Sequence, residues 1–202
     1  MRMLAPISLA LTVGALTASC ATAQSANSPA DHTGMAHAAT AEGPAMRATP
    51  GQTGRASLIN AEGNQIGQLT LTQGTTGLLI RVEATGLTPG WHGIHLHATG
   101  QCAAPFTSAG GHIKHNTDGV HGLLNPEGPD NGDLPNIFAD AQGAVKAELF
   151  TTRARIAAEG PGEWLWDADG SALVIHANAD DHTSQPIGGA GDRVACAVLS
   201  AN

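Results

Sequence analysis

The chain of 202 residues is 42% hydrophobic, enough for one domain of ordinary size, and only 13% charged, against a usual figure of about 25%. A formal net charge of −8 argues against nucleic-acid binding, which calls for a basic patch or stripe, and no apolar run approaches the roughly 20 residues that span a bilayer. Ten histidines outnumber the nine lysines and arginines, and histidine is the commonest protein metal ligand.

Arg2 is the only charge before Asp31, and Leu4 to Leu16 form an apolar core too short for a transmembrane helix but right for a secretory signal. Ala21-Thr22-Ala23 fits a small-residue cleavage site, giving a signal peptide over 1–23. Alternatively, Thr17-Ala18-Ser19-Cys20 resembles a bacterial lipoprotein box, with a signal over 1–19 and a lipid anchor on Cys20; Thr17 stands where Leu is usual. The soluble product is favoured, and either route places the mature protein in the periplasm or otherwise outside the cytoplasm. Without Arg2 the mature chain keeps eight basic and seventeen acidic residues, near −9.

Residues 24–52 are rich in Ala, Thr, Ser and Gly without hydrophobic periodicity and are expected to be a disordered tail. It carries His32, Met35, His37 and Met46, whose imidazole and thioether groups suit copper in both oxidation states, so it is a candidate route for copper donation. The alternative is that they are incidental in a low-complexity linker.

From residue 53 to 202 the pattern is β. Ala56–Ile59, Asn64–Thr72, Leu78–Ala84, Trp91–His97, Ala144–Phe150, Ala172–Ala177 and Arg193–Leu199 are expected strands, Leu78, Ile80, Val82 and Ala84 alternating on one face. Long loops rich in turn residues separate His97 from Ala144 and Asn178 from Asp192, and they hold several of the histidines; such loops in a compact domain are usually functional or disordered. The expected class is all-β: an antiparallel Greek-key sandwich or barrel with long metal-binding and active-site loops. Cys102 and Cys196, in an oxidising compartment with no competing thiol in the domain, are expected to pair.

His95 and His97 lie two apart on an expected strand, so both imidazoles share one face while Ile94 and Leu96 turn to the core. His112 follows the flexible Ser108-Ala109-Gly110-Gly111, His176 ends the strand Leu173-Val174-Ile175, and His121 and Asp133 share a polar loop with His112. These segments, with Gly132-Asp133-Leu134-Pro135-Asn136, Asp180-Asp181 and Gly188 to Cys196, occur in the order of the copper,zinc superoxide dismutases. From about Arg55 to Leu199 the chain resembles that family, especially its exported bacterial branch.

The resemblance implies one copper per chain on His95, His97, His112 and His176, and one zinc on His112, His121 and Asp133. His112 would be the shared imidazole and, with Arg193, would act in catalysis. Asp180 would orient ligands of both metals. Cys102–Cys196 would anchor a loop, and His92 would be a buried structural histidine. Superoxide is the implied substrate, and the protein would be a monomer or homodimer.

The chain departs from its exported relatives where a third zinc histidine is usual: Asp130 stands there. A carboxylate can bind zinc, so Asp130 is ranked first as fourth donor, an empty or weak zinc site second, and His115 third. A copper carrier on the same fold and a metal-free sandwich are rival readings. A blue-copper carrier is a poor one, since Cys196 lacks the His and Met such a site needs nearby.

Overall fold

The computed structural model describes residues 48–115 and 118–201. The expected signal segment, Cys20, and the tail residues His32, Met35, His37 and Met46 lie outside the described residues. Seven strands form one sheet in the order β5 (Ile94–His97), β10 (Ser171–His176), β11 (Arg193–Leu199), β1 (Thr53–Asn60), β2 (Gln65–Gln73), β3 (Leu78–Ala84) and β7 (Val145–Thr151). Every neighbour is antiparallel. β4 (Gly90–His92) pairs with β6 (Ile137–Ala139), and the two-residue β8 (Ala154–Arg155) with β9 (Glu163–Trp164). Neighbours distant in sequence, β1 beside β11 and β5 beside β10, force the long crossing connections of a Greek-key sandwich. No helix among the described residues is long and apolar enough to cross a membrane.

Period-two alternation explains the core. In β3, Leu78, Ile80, Val82 and Ala84 are buried while Leu79, Arg81 and Glu83 are not. They join Leu58, Leu69, Leu71, Ile94, Leu96, Leu173 and Ile175 in one apolar interior. β10 is buried on both faces. Leu173 and Ile175 enter that interior, whereas Ala172 and Val174 meet Phe106, Ala109 and Cys196 in a second, smaller cluster on the opposite face. The Cys102–Cys196 disulfide closes this cluster, with Cα atoms 5.7 Å apart.

One expected strand is corrected. Trp91–His97 is two strands that join different ladders, broken at Gly93. Gly93 donates to Asn178 O at 2.8 Å and accepts from His176 N at 2.8 Å, and a Cβ there would lie 2.9 Å from Ala190 Cβ. The break is therefore where the loop after β10 crosses. β6, inside what reads as continuous loop, is additional.

Candidate metal centre

Strand register builds half of the site. Val174 lies opposite His95 and Ala172 opposite His97, so both imidazoles rise from the face that carries the smaller cluster, between the long loops. The register shifts between Ile175 and His176, and this irregularity sets His176 opposite Arg193; such irregularities often re-aim a side chain beside an active site. Two isolated bridges, His97 with His112 and His95 with Asp133, dock the loop segments onto β5.

Four donor nitrogens, one each from His95, His97, His112 and His176, converge within 4.8 Å of one another, all buried. The partners fix which nitrogen faces inward. His97 Nδ1 donates to Gly110 O at 2.9 Å and His176 Nδ1 to Gly191 O at 3.0 Å, so each turns a bare Nε2 to the cluster. His95 donates from Nε2 to Asp180 Oδ2 at 2.9 Å, leaving Nδ1. His95 Nδ1 and the Nε2 atoms of His97, His112 and His176 are buried without a hydrogen-bond partner. Each such atom costs about 1–3 kcal/mol, so four meeting at one point fit a cation that accepts nitrogen lone pairs. Burial favours the neutral form of three of these rings, lowering His95 and His176 to about 4 and His97 to about 2.

A second donor set adjoins the first through His112. His112 Nδ1 lies 3.1 Å, and His121 Nδ1 2.7 Å, from the same oxygen, Asp133 Oδ1. Asp133 Oδ2 accepts the N–H groups of Gly122 at 2.7 Å and Asp130 at 3.0 Å. Two imidazoles and a carboxylate suit zinc. Burial opposes charge on Asp133 and His121, but their hydrogen bonds outweigh it. Asp133 is held well below the usual carboxylate range, and His121, between Asp133 and Asp180, rises to about 9.

Asp180 spans the two sets, its Oδ2 on His95 and its Oδ1 3.1 Å from His121 Nε2. Asp130 is buried, with Oδ2 3.5 Å from Lys114 Nζ and Oδ1 without a partner, and it is not brought into either converging set. His115 is exposed. His92 is buried, its ring nitrogens 2.6 and 2.7 Å from the carbonyls of His176 and Thr88. Arg193 donates from Nη1 to Phe106 O at 2.6 Å and from Nη2 to Gly110 O at 2.7 Å. It also lines an open cleft of about 740 Å³ with Glu62, Thr107 and Asp192.

Sequence reasoning gave no role to Asn136, which exchanges two backbone hydrogen bonds with Asp180, or to Gln185, whose amide pins the backbone of His121. Nothing in their identity separates them from solvated loop residues.

The sequence model of a family described as copper/zinc superoxide dismutase matches residues 65–199. A superoxide dismutase [Cu-Zn] of Caulobacter vibrioides is 51% identical over 139 residues, covering 68% of this chain and 80% of the relative. Among solved structures, a SOD-like protein from Bacillus subtilis is 34% identical with a TM-score of 0.68, covering 73% of this chain and 99% of that one. The Cu/Zn superoxide dismutase from Brucella abortus is 28% identical with a TM-score of 0.61, covering 74% and 100%.

Proposed function

Because the chain belongs to the copper/zinc superoxide dismutase family, oxidoreductases that act on superoxide, we propose that His95, His97, His112 and His176 hold a redox copper and that His112, His121 and Asp133 hold zinc. Asp130, whose buried Oδ1 lacks a partner, is assigned as the fourth zinc donor. The observation that supports this reading is His112, whose Nε2 is bare among three other imidazoles while its Nδ1 faces Asp133. One ring thus serves both donor sets.

Bound copper supplies one-electron exchange with superoxide, and bound zinc supplies positive charge at the far nitrogen of His112. Two superoxide anions and two protons give one dioxygen and one hydrogen peroxide. Arg193 binds and orients the anion, its guanidinium held rigid by two carbonyls. His112 Nε2 is the atom that takes up a proton and returns it to the forming peroxide. Asp180 keeps His95 and His121 aimed by accepting their Nε2–H groups.

The protein is exported and defends against superoxide outside the cytoplasm, and its His/Met tail gathers copper. The deciding experiment counts metals in purified protein after loading and measures dismutation. One copper and one zinc per chain with rapid dismutation is the expected result. Copper binding with dismutation no faster than buffer would leave a copper carrier. Asp130→Ala should lower zinc content and spare copper; unchanged zinc would remove Asp130 from the ligand set.

A further inference from the structure

His182 has no part in the two donor sets, yet it is one of only two non-glycine residues with positive φ among those described, at +61°. A left-handed conformation costs a residue with a Cβ roughly 1–2 kcal/mol, and it persists where the surroundings over-determine it. Here the surroundings are the metal loops themselves. The His182 N–H donates to Asp180 Oδ1 at 2.6 Å, its carbonyl accepts from Leu124 N at 3.0 Å, and its ring Nδ1 lies 3.3 Å from Asp180 Oδ2.

Asn136 fixes the ring's tautomer. Its Oδ1 accepts from Asp180 N at 2.9 Å and its Nδ2 donates to Asp180 O at 2.8 Å, so the orientation of this amide is set by the backbone. The same Nδ2 lies 3.3 Å from His182 Nε2. An amide nitrogen only donates, so Nε2 accepts and the ring proton sits on Nδ1, which lies near Asp180 without a hydrogen-bond partner. The Asp180 carboxylate thus accepts three N–H groups: the ring Nε2–H of His95 and of His121, and the backbone N–H of His182.

We propose that His182 is a positioning residue: its left-handed turn sets its backbone N–H on the Asp180 carboxylate, its Nε2 holds Asn136, the amide that brackets the Asp180 backbone, and together they aim the metal-facing nitrogens of His95 and His121. The proposal rests on the reading that those rings hold metals. It acts at a distance of two side chains, and partners that orient ligands in this way are typically worth about 10–100-fold in metal affinity.

Two substitutions separate this role from simple packing. His182→Gly keeps the left-handed backbone and its N–H but removes the ring. His182→Phe keeps the ring's bulk but removes its nitrogens. The full-length protein carrying copper and zinc is challenged with a chelator while zinc release is followed, and the Cu(II) electron paramagnetic resonance spectrum is recorded. Both variants are expected to release zinc about tenfold faster than wild type and to show the same altered copper hyperfine coupling. If His182→Phe matched wild type while His182→Gly alone were impaired, the ring would be filling space and the proposal would fail. Wild-type behaviour in both variants would overturn it too. Wild-type protein that takes up neither metal would overturn the metal reading itself, and this assignment with it.

Discussion

Breaking the bridge between Cys102 and Cys196 should destabilise the fold and disarm Arg193 together. The cysteines are 94 residues apart. Opening a closed loop of that size returns to the unfolded chain an entropy worth about 4.7 kcal/mol at 100 residues. That is a large share of the 5–15 kcal/mol by which domains are usually stable. The native loop is not left wholly unanchored, because Phe106 stays buried against Ala172 and Val174, worth about 1.5–3 kcal/mol. The double variant Cys102→Ala/Cys196→Ala therefore folds, with an unfolding free energy in urea lower by about 3–5 kcal/mol. The same loop presents Phe106 O and Gly110 O to Arg193, and Gly110 O also accepts from His97. Loosening it should lower the dismutation rate of the copper-loaded variant several-fold. Reduced wild-type protein controls for the space left at Cys196, which is buried. A change in unfolding free energy below about 1 kcal/mol in both would refute the loop-entropy argument.

Three further predictions follow from the same geometry. A Cβ on Gly188 would collide with the Asp180 carboxylate, and φ there is +59°, so Gly188→Ala should lose both metals to a chelator faster than wild type; equal retention would show that Asp180 moves freely. Asp180, Asp181 and Asp192 stand in the 177–192 loop, which carries no Lys or Arg, so electrostatic steering should be weak. The rate should change less than about twofold between low salt and roughly 0.15 M, and a steep fall with added salt would contradict this. In the metal-free protein, His95, His97 and His176 stay neutral below the pH at which the unfolded chain protonates. The unfolded state then binds more protons from about pH 6.5 down to about 4, so stability should fall across that window, by on the order of 3 kcal/mol for His95 alone. Near pH 5 to 5.5, in the middle of that window, His121 is charged and Asp133 ionised in both states and they add little slope. Denaturation midpoints that stay level from pH 6.5 to 4 would rule this out.

What could be read from the sequence was whatever strand periodicity controls. The alternation of Leu78, Ile80, Val82 and Ala84 located β3, and the two-residue spacing of His95 and His97 put both rings on one face, as the register with Ala172 and Val174 has it. What could not be read depends on chain crossings. Gly93 breaks a strand because the segment carrying Asn178 and Ala190 passes against it, an event without local signature. β6 is three residues long, and its pairing with β4 overrides a loop composition. Phe106, in a left-handed turn that propensity would not assign to it, is buried under the site, and the carbonyls that hold Arg193, His97 and His176 carry no residue identity at all.

That division has a physical cause. Metal-facing atoms must be particular elements at particular spacings, so they leave a pattern in the chain. The atoms that aim them need only be an acceptor or a donor, which backbone, Asn136, Gln185 or His182 can each provide. Asp130 falls between the two cases. Its identity marks it as a departure from the usual imidazole, but its partner Lys114 lies sixteen residues away and is known only from the fold. With Asp130 buried and an ammonium 3.5 Å away, its carboxylate has its charge partly balanced by the chain itself. Zinc binding by Asp130 would therefore have to compete with Lys114. This site should consequently release zinc more readily to a chelator than one completed by a third imidazole, while copper loaded on the four-imidazole set, whose nitrogens pair with no ammonium, should be retained.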